Sequence, residues 1–160
     1  MSSTRNLWFA LGALLAVSFG VLLWTGSQIY QQAPPMPERV ATPAGEVVFT
    51  RDEIETGRIV WQSMGGMQLG SIWGHGGYVA PDWSADWLHR ELVALLELWA
   101  RAEFATSFEA LGVEQRAVLE SRLRERTRAN TYDASTGTLT IGEDRAAAIA
   151  AVSAHYESLF

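Results

Sequence analysis

The chain contains no cysteine and no lysine. Without thiols it can form no disulfide, no cysteine nucleophile, no cysteine-ligated zinc or iron–sulfur site, and no covalently attached c-type haem. Without lysine it has neither a P-loop lysine nor a Schiff base. Basic charge is scarce as well. Twelve arginines stand against eighteen acidic residues, for a net charge of −6. That balance argues against the basic footprint a nucleic-acid-binding surface needs, so no nucleic-acid partner is expected. Charge of either sign is missing between Arg5 and Glu38, and again from Trp61 until Asp82. A chain of 160 residues has room for one membrane anchor and one small domain of roughly 100–130 residues. A domain this small without staples is marginal alone, so it is expected to dock on a larger body.

What fills the first uncharged window is an apolar run, Leu7 to Trp24, extended by Ile29 and Tyr30. It is long enough to cross a hydrocarbon core of about 30 Å. Trp8 at one end, and Trp24 and Tyr30 at the other, suit the two interfaces. A cleavable signal peptide is the alternative, but its apolar region usually spans only about 7–15 residues and ends near a small-residue site, which is not found here. The reading is therefore an uncleaved anchor over 1–31. Arg5 beside the amino terminus leans the orientation towards a cytoplasmic amino terminus and an external domain. A linker over 32–49 follows, stiffened by Ala33-Pro34-Pro35-Met36-Pro37. Gly45 to Phe49 is a candidate extended piece.

The remaining residues, 50–160, read as one mainly helical domain. Thr50-Arg51-Asp52-Glu53 has the pattern of a capping box. The helix it opens carries Ile54, Gly57, Val60 and Trp61 near one face and stops at Gly65-Gly66. Asp82 or Ser84 caps a second helix to about Phe104, with Leu88, Leu92, Leu95, Leu96 and Trp99 as its apolar stripe. Glu114 to about Arg128 is a third helix with Val118, Leu119 and Leu123 inward and its arginines mostly outward. Thr131 to Ile141 reads as a β-hairpin with an Asp-, Ser- and Gly-rich turn. A last helix from about Glu143 carries Ile149, Val152, Tyr156 and Phe160. It ends without a cap, so the natural polypeptide is expected to continue.

Between the first two of these helices lies the second uncharged window. Trp61 to His89 holds four of the seven tryptophans beside Gly65, Gly66, Gly70, Gly74, Gly76 and Gly77. Glycines let backbone approach a surface closely, and tryptophans supply large apolar contacts. Such a loop is shaped to fit against something. Gly74-His75-Gly76-Gly77 lacks the dinucleotide-binding spacing. Its carbonyls could serve a hard cation such as calcium, but only as part of a site. The three histidines, His75, His89 and His155, have no helical ligand spacing, so a zinc site is unsupported. Asp82, Asp86 and Glu91 could form a glycosidase-like pair, yet helix-start roles explain Asp82 and Asp86. No catalytic residue is assigned.

Taken together these residues resemble a known family. Gly57-Arg58-Ile59-Val60-Trp61 resembles the opening helix of class I cytochromes c. Where that family would carry C-x-x-C-H, this chain has Gly66-Met67-Gln68-Leu69-Gly70. Gly74 to Asp82 resembles the G-x-G-x-Y-x-A-P loop of the small subunit of cytochrome-c-dependent nitric oxide reductase. The string from Trp61 to Glu91, the 33–38 linker and the Asn130-Thr131-Tyr132-Asp133 hairpin resemble the amino-terminal region of quinol-dependent nitric oxide reductase.

The resemblance implies a transmembrane helix followed by a small cytochrome c-like helical domain that has lost its haem. It also implies a multi-helix membrane core, fused or separate, that holds haem b, haem b3 and a non-haem iron. That core reduces NO to N2O with electrons from quinol, in denitrification or NO detoxification, within the superfamily of haem-copper oxidases. The core's own histidine and glutamate ligands fall outside these residues, so the segment alone binds no cofactor. The backbone carbonyls of Gly76 and Tyr78 would help hold a calcium shared with the core. The implied location is the bacterial inner (cytoplasmic) membrane, in contact with lipid, with the domain on the periplasmic or extracytoplasmic side. Two other readings stand beside it: a membrane-tethered, Trp-rich ligand-binding module, and a haem-b sensor using His75.

Overall fold

A computed structural model of the chain describes residues 2–77 and 79–159. Helices dominate it, as the sequence predicts, and the residues fall into two compact units, Met1–Met36 and Pro37–Phe160.

The first unit is a single helix, α1 (Ser2–Gln32). Its stretch Thr4–Ile29 is apolar and long enough to cross a membrane, and none of it is buried against other residues. At 1.5 Å per residue those 26 residues span about 39 Å, longer than a hydrocarbon core. Thr25 meets its polar group within the helix. The Thr25 hydroxyl donates to the Val21 carbonyl at 2.8 Å, a bond that hides its polarity from an apolar surrounding.

The second unit opens on β1 (Arg39–Ala41) and β2 (Val47–Thr50). The connection without regular structure is therefore only 33–38, shorter than the expected 32–49. The predicted hairpin is present as β5 (Tyr132–Asp133) and β6 (Thr138–Thr140). What the sequence does not disclose is that β1 pairs with β6 in parallel, Val40 opposite Leu139. The two hairpins thereby join into one sheet of order β2-β1-β6-β5.

Five α-helices complete the unit: α2 (Arg51–Ser63), the single-turn α3 (Gly66–Leu69), α4 (Trp83–Phe104), α5 (Val113–Arg128) and α6 (Glu143–Leu159). The capping box at Thr50 is formed in full: the Thr50 amide donates to Glu53 Oε2 at 2.8 Å, and the Thr50 hydroxyl accepts from the Glu53 amide. Its reciprocal bonds satisfy two of the amides every helix start leaves without partners. Asp82, rather than Ser84, caps α4, accepting from the Ala85 amide at 2.9 Å.

The core lies where α4 crosses α5 and α6. Leu95, Leu96, Trp99 and Ala100 of α4 pack with Leu111, Leu119 and Ala148. A second cluster, Val40, Ile141 and Ile149, fastens the sheet to α6. Trp99 closes the first cluster by donating its indole N–H to Asp144 Oδ2 at 2.8 Å. Arg122 and Arg126 lie over the Trp99 ring at 5.2 and 5.4 Å. These two arginines fold back onto an aromatic face, where cation–π attraction and neighbouring carboxylates hold them.

Two residues assigned to the core by spacing are outside it. Leu88 is 48% exposed and Val118 is 57% exposed. Helical spacing fixes which residues share a stripe, but the buried residues of α4 begin only at Glu91. In α5 the contact line runs through Leu119 and Leu123, leaving Val118 to solvent. Leu123 is partly buried and Ile149 and Val152 are buried, as expected. The side chain of Tyr30, and Phe160, lie outside the described residues.

Candidate functional site

The uncharged loop between α2 and α4 folds into a built structure. Gly65, at φ +75°, ends α2 in the left-handed region glycine favours. After α3 the chain forms a tight hairpin, β3 (Ser71–Ile72) and β4 (His75–Gly76), with Ile72 opposite His75. Its two turn residues are Trp73 (φ +53°) and Gly74 (φ +74°). Two consecutive positive φ angles give the turn type whose twist suits a two-residue hairpin. Asn-Gly is the usual occupant. Tryptophan in the left-handed region costs roughly 1–2 kcal/mol of backbone strain.

The start of α4 latches this hairpin. Asp82 Oδ2 accepts from the Ser71 hydroxyl at 2.6 Å and from the Gly74 amide at 2.9 Å, while its Oδ1 caps the helix. The Ser84 hydroxyl accepts from the Trp73 amide at 2.9 Å, and the Pro81 carbonyl accepts from the Ser71 amide at 2.9 Å. The donors around Asp82, the Ser71 hydroxyl first and then the Ala85 and Gly74 amides, hold its carboxyl below the usual carboxylate range. Three donors on one carboxylate stabilise its charged form.

Two of the glycines are set by close approach. A Cβ at Gly66 would lie 2.3 Å from the Trp61 indole nitrogen. One at Gly70 would lie 2.1 Å from that of Trp83 and 2.7 Å from the Pro81 carbonyl oxygen. The indoles rest directly on bare backbone, so the interleaving of Trp and Gly along the sequence becomes stacking in space.

Beneath the hairpin is an open apolar cleft of about 500 Å³, lined by Phe49, Ile54, Trp61, Ile72, Trp73, Trp83, Ser84, Trp87 and Tyr156. Ile54 and Trp61 of the predicted α2 face reach it, whereas Val60 is largely exposed. Tyr156 stacks on Trp87 with ring centroids 5.4 Å apart and donates its hydroxyl to Asp86 at 2.5 Å. Asp86 also pairs with Arg90 at 2.7 Å. Arg90 first, then Tyr156, keeps the Asp86 carboxyl below its ordinary range, while burial pushes the Tyr156 phenol up.

The three carboxylates that sequence grouped are thus held apart in separate duties. Asp82 latches the hairpin and Asp86 serves Arg90 and Tyr156. Glu91 is buried in α4 and accepts from Arg145 Nε of α6 at 2.5 Å. A glycosidase-like acid/base pair has no support in this arrangement. His89 and His155 line one recess between α4 and α6, a proximity no sequence spacing revealed. Among the described residues no group of three or more His, Cys, Asp or Glu could hold a metal ion.

The calcium expectation falls partly on described residues. Tyr78 and the side chain of His75 lie outside them. In a two-residue hairpin the pair flanking the turn exchanges the ladder bonds, and the next pair turns its groups outward. Ser71 obeys this, sending its amide to Pro81 rather than to its partner Gly76. The Gly76 carbonyl is likewise directed away from β3, which suits one oxygen ligand. Calcium takes six to eight oxygens, and the nearby Asp82 carboxylate is already engaged by three donors. One outward carbonyl would be a small part of such a site, and its remaining ligands would have to come from outside the loop.

Comparison with known families identifies the domain. The chain matches the family model of the NorB cytochrome c-like domain, a domain of nitric oxide reductase, over residues 37–160. A comparison with curated proteins gave no match. The matched residues are the second compact unit, from the linker's last proline through α6. The chain therefore belongs to the family of the NorB cytochrome c-like domain, and is the amino-terminal region of the NorB polypeptide of a nitric oxide reductase.

Proposed function

We propose that this chain is the membrane-anchored, extracytoplasmic amino-terminal domain of a quinol-dependent nitric oxide reductase. It docks on the core that holds haem b, haem b3 and the non-haem iron, and supports that core structurally. Residues 1–31 anchor it in the bacterial inner membrane, and 50–160 form the haem-less cytochrome c-like body. The carbonyls of Gly76 and Tyr78 contribute to a calcium shared with the core.

One observation carries the reading. In a domain of the reductase family, the stretch 59–81 has no charged residue, and Ile59, Met64, Leu69, Trp73 and Val79 within it are exposed. So many exposed apolar side chains in one uncharged stretch support an interaction site. The chain's chemistry supplies no thiolate to attach a haem.

Removing residues 37–160 from the assembled enzyme tests the role. Expected is a loss of quinol-driven NO consumption together with a weakened haem b spectrum. Unchanged activity and spectrum in membranes lacking the domain would refute a supporting role. The apolar cleft favours a second reading, a membrane-tethered ligand-binding module. Quenching of tryptophan fluorescence by an apolar ligand or glycan in the assembled enzyme would favour that module, and fully shielded tryptophans would end it.

A further inference from the structure

We infer that the indole of Trp73 is the anchor by which the domain seats in an uncharged apolar recess of the membrane-embedded core; the inference rests on the docking reading above. Trp73 stands at the tip of the β3–β4 hairpin, in a backbone conformation that tryptophan adopts reluctantly. The conformation is enforced rather than tolerated. Ser84 takes the Trp73 amide, and Asp82 takes the Gly74 amide and the Ser71 hydroxyl.

Within the domain little repays this arrangement. One part of Trp73 edges the cleft, yet 59% of the residue stays exposed. Asparagine would suit the turn better. A strained backbone, rigidly latched, that holds a large aromatic side chain in the open is how a binding anchor is prepared in advance. Tryptophan is also among the residue types enriched at the centres of interfaces. The surroundings state the chemistry of the recess. Met67 and Leu69 flank the hairpin with exposed side chains, and no charged residue occurs from Ile59 to Pro81. A charged recess would find no countercharge in this stretch.

The test uses the assembled enzyme, chain and core together, in lipid nanodiscs. Met64 and Met67 report the docked state through their oxidation by hydrogen peroxide. Asparagine in place of Trp73 keeps the turn and removes the ring. Expected is slow oxidation in the parent enzyme and roughly tenfold faster oxidation in Trp73→Asn, the scale of losing one anchor contact. Equal, slow rates in both overturn the anchor while leaving docking intact. Fast oxidation in the parent overturns docking and the anchor together. A photoreactive phenylalanine at position 73 identifies the recess. Adducts on core peptides support the inference, and adducts on lipid alone overturn it.

Discussion

Gly70→Ala isolates the stacking of tryptophan on bare backbone that shapes the candidate site. Gly70 sits at φ 178°, which any residue can adopt, so alanine brings no backbone strain. The whole effect is steric. The added methyl would fall 2.1 Å from the Trp83 indole and 2.7 Å from the Pro81 carbonyl. The indole could swing aside, but the carbonyl is held by the Ser71 amide at 2.9 Å and belongs to the turn that carries Asp82. Overpacking of this kind costs about 1–3 kcal/mol. For a domain of this size that lowers Tm by about 3–18 °C, at roughly 3–6 °C per kcal/mol. Thermal unfolding of the chain in detergent micelles, followed by tryptophan fluorescence, measures it. Gly66→Ala is the internal comparison. The three nearest atoms there all belong to the Trp61 side chain, which is only half-buried and can give way, so the loss should be smaller. A double variant, Gly70→Ala with Trp83→Ala, should lose less than the sum of the single losses, because the two share one space. An unchanged Tm for Gly70→Ala, or strict additivity with Trp83→Ala, would show that the indole does not rest on this glycine.

Further predictions address the core, the latch and the buried pair. Leu119→Ala should cost about 3 kcal/mol in denaturant unfolding, whereas Val118→Ala should stay within about 0.5 kcal/mol, because only Leu119 is enclosed; similar losses at both would misplace the face of α5. Glu91→Ala should destabilise by about 3 kcal/mol, the low end for breaking a buried pair because Arg145 still reaches solvent; a neutral effect would mean the pair adds nothing to stability. Asp82 is held below its unfolded value, so its contribution is fully present above about pH 4 and is lost as pH falls through the lower folded value. Asp82→Asn should therefore lower Tm at neutral pH and show a smaller further drop on acidification than the parent, and identical pH profiles would count against the latch.

Much of the local structure is legible in the sequence because its signals are local. The capping box at Thr50, the Asp82 cap and the hairpin turn before Thr138 each depend on residues within a few positions of one another. The 3.6-residue period places α4, α5 and α6 with nearly their observed bounds. It cannot say how far along α4 the burial extends, and so Leu88 shares the apolar stripe without entering the core. The β3–β4 hairpin is hidden for a chemical reason. Trp-Gly is a poor turn signal, and the hairpin stands because Asp82 and Ser84, about ten residues later, take up its free donors.

By itself the sequence determined the chemistry these residues cannot perform with their own side chains, because absent thiols and lysines are absent in any fold. It also determined the apolar first helix and the family to which residues 37–160 belong. Tertiary structure alone decided what the glycine–tryptophan loop is. Parallel pairing of β1 with β6, the joining of Glu91 to Arg145, and the seating of indoles on Gly66 and Gly70 link residues far apart in sequence or set distances that no spacing encodes. The bonds from Asp82 and Ser84 to Ser71, Trp73 and Gly74 turn an uncharged string into a latched hairpin with one strained tryptophan at its tip.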